Sequence, residues 1–336
     1  MYFRSFIGIV FFLFFMFFPI QLMSENELLD KEFYQQEAYE AFGELPYEVI
    51  KNLPPDINTQ VVYFLKYYTN EKREVVNRWL ARCSLFLPYF RTIFKEYGIP
   101  DDLVYLAFIE SGCNPFATSP AGAAGIWQFM EATAKRYGLK IDYWIDERRD
   151  FIKSTYAAAK YLKTLYKIFG DWRIAIASYN LGENKIKRVL EAKNFIDYWQ
   201  IINSKEIPIE TMIYLPQWMA ITLIAKDPEK YGFSIPENKI LDYEEIKVNG
   251  GIDLKVFSVA GEIDYDMLLL LNAELRRKIT PPETIYNLKI PYGKKEILEK
   301  NLLSLRTVKK EKDFAKRKIE IVTLPEENLS KKLVVF

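Results

Sequence analysis

The chain of 336 residues contains no histidine, and that absence removes several chemistries at once. Imidazole general bases, Ser-His-Asp triads and His-ligated metals are all excluded. Cysteine is nearly as scarce: Cys83 and Cys113 are too few for a zinc site built on thiolates. Charge of one sign is missing too. Lys and Arg number 46 against 45 Asp and Glu, and the net charge of +1 gives no broad attraction to nucleic acid. Neither a Walker pattern nor a dinucleotide glycine pattern occurs. These absences predict no metal, no cofactor and no nucleic-acid partner, and leave carboxylate, hydroxyl, amide and phenol chemistry.

Against that background one carboxylate stands out. Glu110 ends the apolar run Leu103-Val104-Tyr105-Leu106-Ala107-Phe108-Ile109 and is followed at once by Ser111-Gly112. Leu103, Leu106 and Ala107 lie seven, four and three positions before it, so a helix here sets Glu110 on their stripe. A helix apolar on all sides is normally buried. Burial disfavours the carboxylate, so the pKa should rise above that of an ordinary glutamate and leave an acid near neutrality. A glycosidic oxygen needs such an acid before its bond breaks, although a lone buried Glu is commonly a satisfied structural group. The following stretch, residues 114–128, is a small-residue loop whose Pro115, Pro120, Gly122 and Gly125 let backbone approach a ligand. Ser119, Trp127 and Gln128 supply the hydroxyl, flat apolar surface and amide that grip sugar rings.

Several motifs follow one another in order: Glu110-Ser111-Gly112, Ser119-Pro120, Gly125-Ile126-Trp127-Gln128, Ser178-Tyr179-Asn180-Leu181-Gly182 and Glu210-Thr211-Met212-Ile213-Tyr214. Together they resemble the four-part signature of the lytic transglycosylases of glycoside hydrolase family 23. The Ile-Trp-Gln form of the second part is similar to the membrane-bound lytic murein transglycosylase D group. The resemblance implies a mainly α, goose-lysozyme-like catalytic domain. It also implies cleavage of the β-1,4 bond between N-acetylmuramic acid and N-acetylglucosamine in peptidoglycan, leaving 1,6-anhydro ends. Glu110 would be general acid and then general base. Ser119, Gln128, Tyr179, Asn180 and Tyr214 would contact the glycan, with Ser111, Gly125, Trp127 and Glu210 in support. For Glu210 the expected role is to orient Tyr179 or nearby backbone. Each has a plainer reading: Tyr179 is one of 23 tyrosines and could be core, Ser119 could be turn chemistry, and Gln128 could bridge backbone. Two alternatives stay open, a water-using lysozyme on the same fold and a non-catalytic wall-binding protein.

The chain divides into five stretches. Residues 1–24 read as a signal peptide or N-terminal anchor: Arg4, then a phenylalanine-dense apolar run of about fifteen residues, short for a membrane span. Export to the periplasm or cell envelope is expected, with membrane association if the segment is retained. No cysteine closes it, so a lipoprotein is not expected. Residues 25–98 carry helical patterns, such as Val61, Phe64, Leu65 and Tyr68, then Val75, Trp79 and Leu80. The catalytic region spans 99–235, with helices expected over 156–169, 174–179 and 214–226, the last with Pro216 in its first turn. Residues 236–292 read as a strand, helices over 256–260 and 265–271, and a strand over 286–291. That β-α-α-β order, with Thr280-Pro281-Pro282 before the last strand, resembles a divergent LysM module, which grips N-acetylglucosamine chains. The tail, 293–336, is basic between Arg306 and Lys318 and suggests no fold. An exported pair of cysteines is often joined, and a Cys83–Cys113 bridge would tie the N-terminal helices to the segment after Glu110. Nothing in the spacing fixes their separation.

Overall fold

The computed structural model describes residues 55–303 except 196–197, 204–205 and 235–240, together with the strand residues 321–322 and 333–334. The expected signal segment 1–24, the start of the N-terminal region and most of the basic tail lie outside the described residues. Among the described residues no helix is long and apolar enough to cross a membrane.

Three helices come first. α1 (Pro55–Thr69) buries the stripe Val61, Leu65 and Tyr68 as its spacing predicts. α2 (Arg73–Ser84) buries Val76, Leu80 and Cys83 rather than Val75, while Trp79 lies against Gly112. α3 (Leu87–Glu96) is closed by Gly98 at φ 60°, with the Ile99 N–H donating to the Phe94 carbonyl. Asp101, just beyond it, pairs with Arg91 at 3.2 Å.

The apolar run before Glu110 is two pieces rather than one. A 3-10 turn, Asp101–Tyr105, leads into the short α4 (Leu106–Ser111), and every residue from Leu103 to Ile109 is buried. Next come α5 (Glu131–Arg136) and the long α6 (Phe151–Phe169). α6 begins five residues ahead of the sequence expectation because the Asp150 carboxylate accepts the Ile152 and Lys153 N–H groups. α7 (Trp172–Leu181), α8 (Glu183–Lys193) and α9 (Tyr198–Asn203) precede α10 (Ile209–Lys226). α10 starts at Ile209, not Tyr214, so Pro216 is inside the helix. Proline there removes the N–H that would bond the Met212 carbonyl, and α10 runs on through it.

The C-terminal unit is β1 (Tyr243–Asn249), α11 (Leu254–Ala260), α12 (Tyr265–Leu271) and β2 (Ile285–Pro291). β1 and β2 pair antiparallel with Ile246 opposite Leu288. The fold is therefore mainly α, with a small β-α-α-β module at the C-terminal side. Past the module, the dipeptide strands Ile321–Val322 and Leu333–Val334 pair antiparallel.

Each unit has an apolar core, and the two interlock. Ile145 of the helical unit packs with Ile246, Phe257, Leu268 and Leu288 of the module, while Leu271 of the module joins the larger core. Strand alternation puts Lys289 on the face opposite Leu288 and Ile290, where solvent would be expected. Lys289 is nonetheless 4% exposed, because that face meets the helical unit.

Cys83 and Cys113 form a disulfide with a Cα separation of 5.2 Å. It fastens α2 to the chain just beyond Glu110. Closing a loop of this length contributes on the order of 3 kcal/mol by restricting the unfolded chain.

Candidate active site

Glu110 sits near the C-terminal end of α4, part-exposed as a residue but with its carboxyl enclosed by protein. Gly112 follows in the left-handed region at φ 58°, and a Cβ there would lie 2.2 Å from the Trp79 ring, so only glycine lets the chain turn away here. The Glu110 carboxyl accepts a hydrogen bond from the Tyr214 hydroxyl on α10. Burial pushes its pKa up from 4.5 to about 7; the bond from Tyr214 opposes the rise and the nearby Glu210 charge adds to it. No cation is among the causes. Glu110 is thus a buried carboxyl held by a neutral donor, the condition under which it keeps its proton near neutrality.

Two phenols flank it. Burial, then the charge of Glu110, raises the pKa of both Tyr179 and Tyr214 well above the ordinary phenol value. Both stay protonated and act as donors. Tyr179 donates to the Trp127 carbonyl at 2.8 Å. Glu210 is exposed on the first turn of α10 and does not orient Tyr179, whose hydroxyl is engaged by that carbonyl. The Asn180 side-chain oxygen accepts from the Thr211 hydroxyl at 2.7 Å, fastening α7 to α10.

The loop from 114 to 129 folds back on itself. Ser119 N–H donates to the Ala123 carbonyl at 2.9 Å, and its hydroxyl accepts the Ala123 N–H at 3.0 Å. Ser111 donates to the Ile126 carbonyl at 2.8 Å and so joins the residue after Glu110 to the loop. Gln128 has φ 46° and donates its amide to the Gly125 carbonyl at 2.7 Å, the backbone-bridging role that its plainer reading foresaw. Two expectations are corrected. Trp127 offers no face to a sugar: it is fully buried, stacked on Phe94 and donating to Thr155 at 2.8 Å. Gly125 makes a close backbone approach to the Arg148 carbonyl rather than to a ligand, since a Cβ would lie 1.8 Å from that oxygen.

Glu110, Ser111, Tyr179, Tyr214, Gln128 and the loop backbone are therefore one connected constellation. The Ser178 hydroxyl is buried with no hydrogen-bond partner among the described residues. No cluster among the described residues is suited to hold a metal. No sequence motif singles out Arg148 and Arg149, which grip the loop from behind through the carbonyls of Gly122, Phe129 and Pro115. The available signal was Asp146-Glu147-Arg148-Arg149-Asp150, an all-charged run between apolar Trp144-Ile145 and Phe151-Ile152.

Residues 88–202 match the transglycosylase SLT domain, and residues 242–307 match the LysM-like domain of lytic transglycosylase MltD. Membrane-bound lytic murein transglycosylase D of Escherichia coli K12 is 34% identical over 191 residues, 54% of this chain and 41% of that protein. Membrane-bound lytic murein transglycosylase F of Yersinia enterocolitica is 37% identical over 114 residues, 31% of this chain and 22% of that protein. The 70-kDa soluble lytic transglycosylase of Escherichia coli aligns structurally at a TM-score of 0.36 and 20% identity, covering 60% of this chain and 37% of that one. The chain spans less than half the length of these relatives.

Proposed function

We propose that this lytic-transglycosylase family protein cleaves the β-1,4 bond between N-acetylmuramic acid and N-acetylglucosamine in peptidoglycan, with Glu110 as its one acid–base group. The observation that carries the reading is the Glu110 carboxyl, buried, held by Tyr214 and raised to about 7. Such a group is protonated often enough to give a proton and ionised often enough to take one back.

The protonated carboxyl first donates to the glycosidic oxygen. The bond from C1 to that oxygen breaks, and its electron pair leaves with the N-acetylglucosamine hydroxyl. An acetamido group of the substrate stabilises the oxocarbenium-like centre. The muramoyl C6 hydroxyl then attacks C1 while the Glu110 carboxylate removes its proton, giving a 1,6-anhydro ring without water. Tyr214 steadies the carboxylate between the two steps. Ser119 and Gln128 contact the glycan from the loop, and Tyr179 and Asn180 line the cleft from α7. On this proposal the chain belongs to glycoside hydrolase family 23, with a goose-lysozyme-like catalytic region at 99–235 and a LysM-like module at 236–292. Relatives named as membrane-bound murein enzymes support an exported protein acting in the cell envelope.

Mass spectrometry of digested, purified sacculi tests the proposal. Anhydro ends are expected from the wild type, and Glu110→Gln should lower their rate of appearance about 10²–10⁴-fold while leaving the fold intact. Reducing ends would instead make the protein a water-using lysozyme, and no cleavage a wall-binding protein. A Gln variant retaining more than about a tenth of the wild-type rate would remove Glu110 from the role.

A further inference from the structure

The segment Asp146 to Asp150 is bonded on two sides. Toward the helical unit, Arg148 donates to the carbonyls of Gly122 at 2.8 Å and Phe129 at 3.1 Å, and Arg149 to the Thr118 hydroxyl at 2.7 Å. The Arg148 carbonyl fills the space a side chain on Gly125 would need. The next two carbonyls of that loop, on Ile126 and Trp127, accept from Ser111 and Tyr179 around Glu110.

Toward the module, the Asp146 N–H donates to the Glu274 carbonyl at 2.8 Å. The Lys289 ammonium on β2 reaches Asp150 at 2.7 Å and Glu274 at 2.8 Å. Lys289, Asp150 and Glu274 are 4%, 1% and 2% exposed. Arg276 adds a backbone bond to Trp144 and a guanidinium bond to the Asp142 carbonyl. A module that merely tethers an enzyme to its polymer needs none of this. Pulling it away would part Lys289 from Asp150, the Glu274 carbonyl from the Asp146 N–H, and Arg276 from two carbonyls, so it cannot swing freely.

We propose that the LysM-like module is a fixed part of the catalytic apparatus, in which Lys289 is a positioning residue. It holds the 146–150 segment, and through it the loop bearing Ser119 and Gln128, in register with Glu110. The inference rests on reading that loop and Glu110 as a peptidoglycan-cleaving site. It implies that undocking the module slows cleavage of short soluble glycans as much as that of sacculi.

Lys289→Met in the full chain tests it by amide hydrogen exchange without substrate and by kcat/KM on short soluble glycan strands. The Ser119, Ala124, Gly125 and Phe129 amides are bonded within the loop and should exchange about tenfold faster, while those of α1 keep their wild-type rates. kcat/KM should fall about tenfold at a temperature where the variant is folded. Faster exchange in α1 and the loop alike, or no change in the loop, would make Lys289 a general stabiliser and overturn the proposal. If Lys289→Met does not fold, Arg276→Ala gives the same comparison with the buried trio intact: faster exchange confined to the loop supports the proposal, and an unchanged loop overturns it. Exchange is read without turnover, so a wild type that cleaves nothing would sink the enzymatic reading and leave the coupling measured.

Discussion

Two buried acidic sites in this protein are held in opposite ways. At Glu110, burial raises the carboxyl pKa to about 7, and the nearest partner is a neutral phenol. At Asp150, burial pushes the same way but is outweighed by the Lys289 ammonium and by backbone N–H groups, so the carboxyl stays below its ordinary range. Glu274 lies between them. It shares Lys289, yet burial wins and its pKa rises. Desolvation is common to all three; the cation alone does not reverse it at Glu274, whereas the cation and two backbone N–H groups together do at Asp150. A buried carboxyl with a cation is structural. One with only a hydroxyl, on a part-exposed residue, is available for proton transfer.

Removing the cation should produce the largest effect and turn the second site into an unsupported copy of the first. Lys289→Met leaves Asp150 and Glu274 without their shared ammonium, and denaturant unfolding should show the module melting ahead of the helical unit, its transition weakened by about 3–5 kcal/mol. A loss under about 1 kcal/mol would mean that the ammonium is not what holds the carboxylates there.

Removing the phenol hydroxyl should act on rate rather than fold. A hydrogen bond to a charged group is worth about 1.5–3 kcal/mol, so Tyr214→Phe should lower kcat about tenfold or more. That bond favours the carboxylate, so its loss raises the Glu110 pKa further, and the alkaline limb of the pH–rate profile should move upward. A limb that moves downward would contradict the described role of Tyr214.

The smallest effect concerns stability. The folded pKa of Glu110 is above its unfolded value of 4.5, so the folded state binds the extra proton between pH 4.5 and about 7. Folding stability is then lost as pH rises through that window and is lowest above it. Glu110→Gln, which carries no charge, should be more stable than the wild type at pH 8 by on the order of 1 kcal/mol, discounted for the partial exposure of the residue. The difference should vanish below pH 4.5 in melting curves. Equal melting temperatures at both pH values would place the carboxylate in water.

Much of this was legible in the chain itself. Helix spacing set α12 at Tyr265–Leu271 as observed, and β2 was missed only by Ile285. The apolar run from Leu103 to Ile109 is buried, as its composition announced. What failed has physical causes. Helix starts were read late at α6 and α10, because Asp150 and Pro208 begin them ahead of the apolar pattern. Trp127 carries the same letter whether it faces a sugar or fills a core, and only the packing of Phe90 and Phe94 decides. Lys289 occupies an outward strand position, and alternation cannot tell solvent from a second domain. The grip of Arg148 and Arg149 on backbone carbonyls leaves no pattern at their targets, which bond through main chain whatever their side chains.

Proton transfer at this site depends on the protonation state of Glu110. A carbon-13 NMR titration of its side-chain carboxyl in the full chain measures that directly. The expected midpoint is about 7, against an ordinary 4.5. A midpoint at or below 4.5 would contradict the account, since Glu110 would then be an ionised carboxylate like Asp150 with no proton to give.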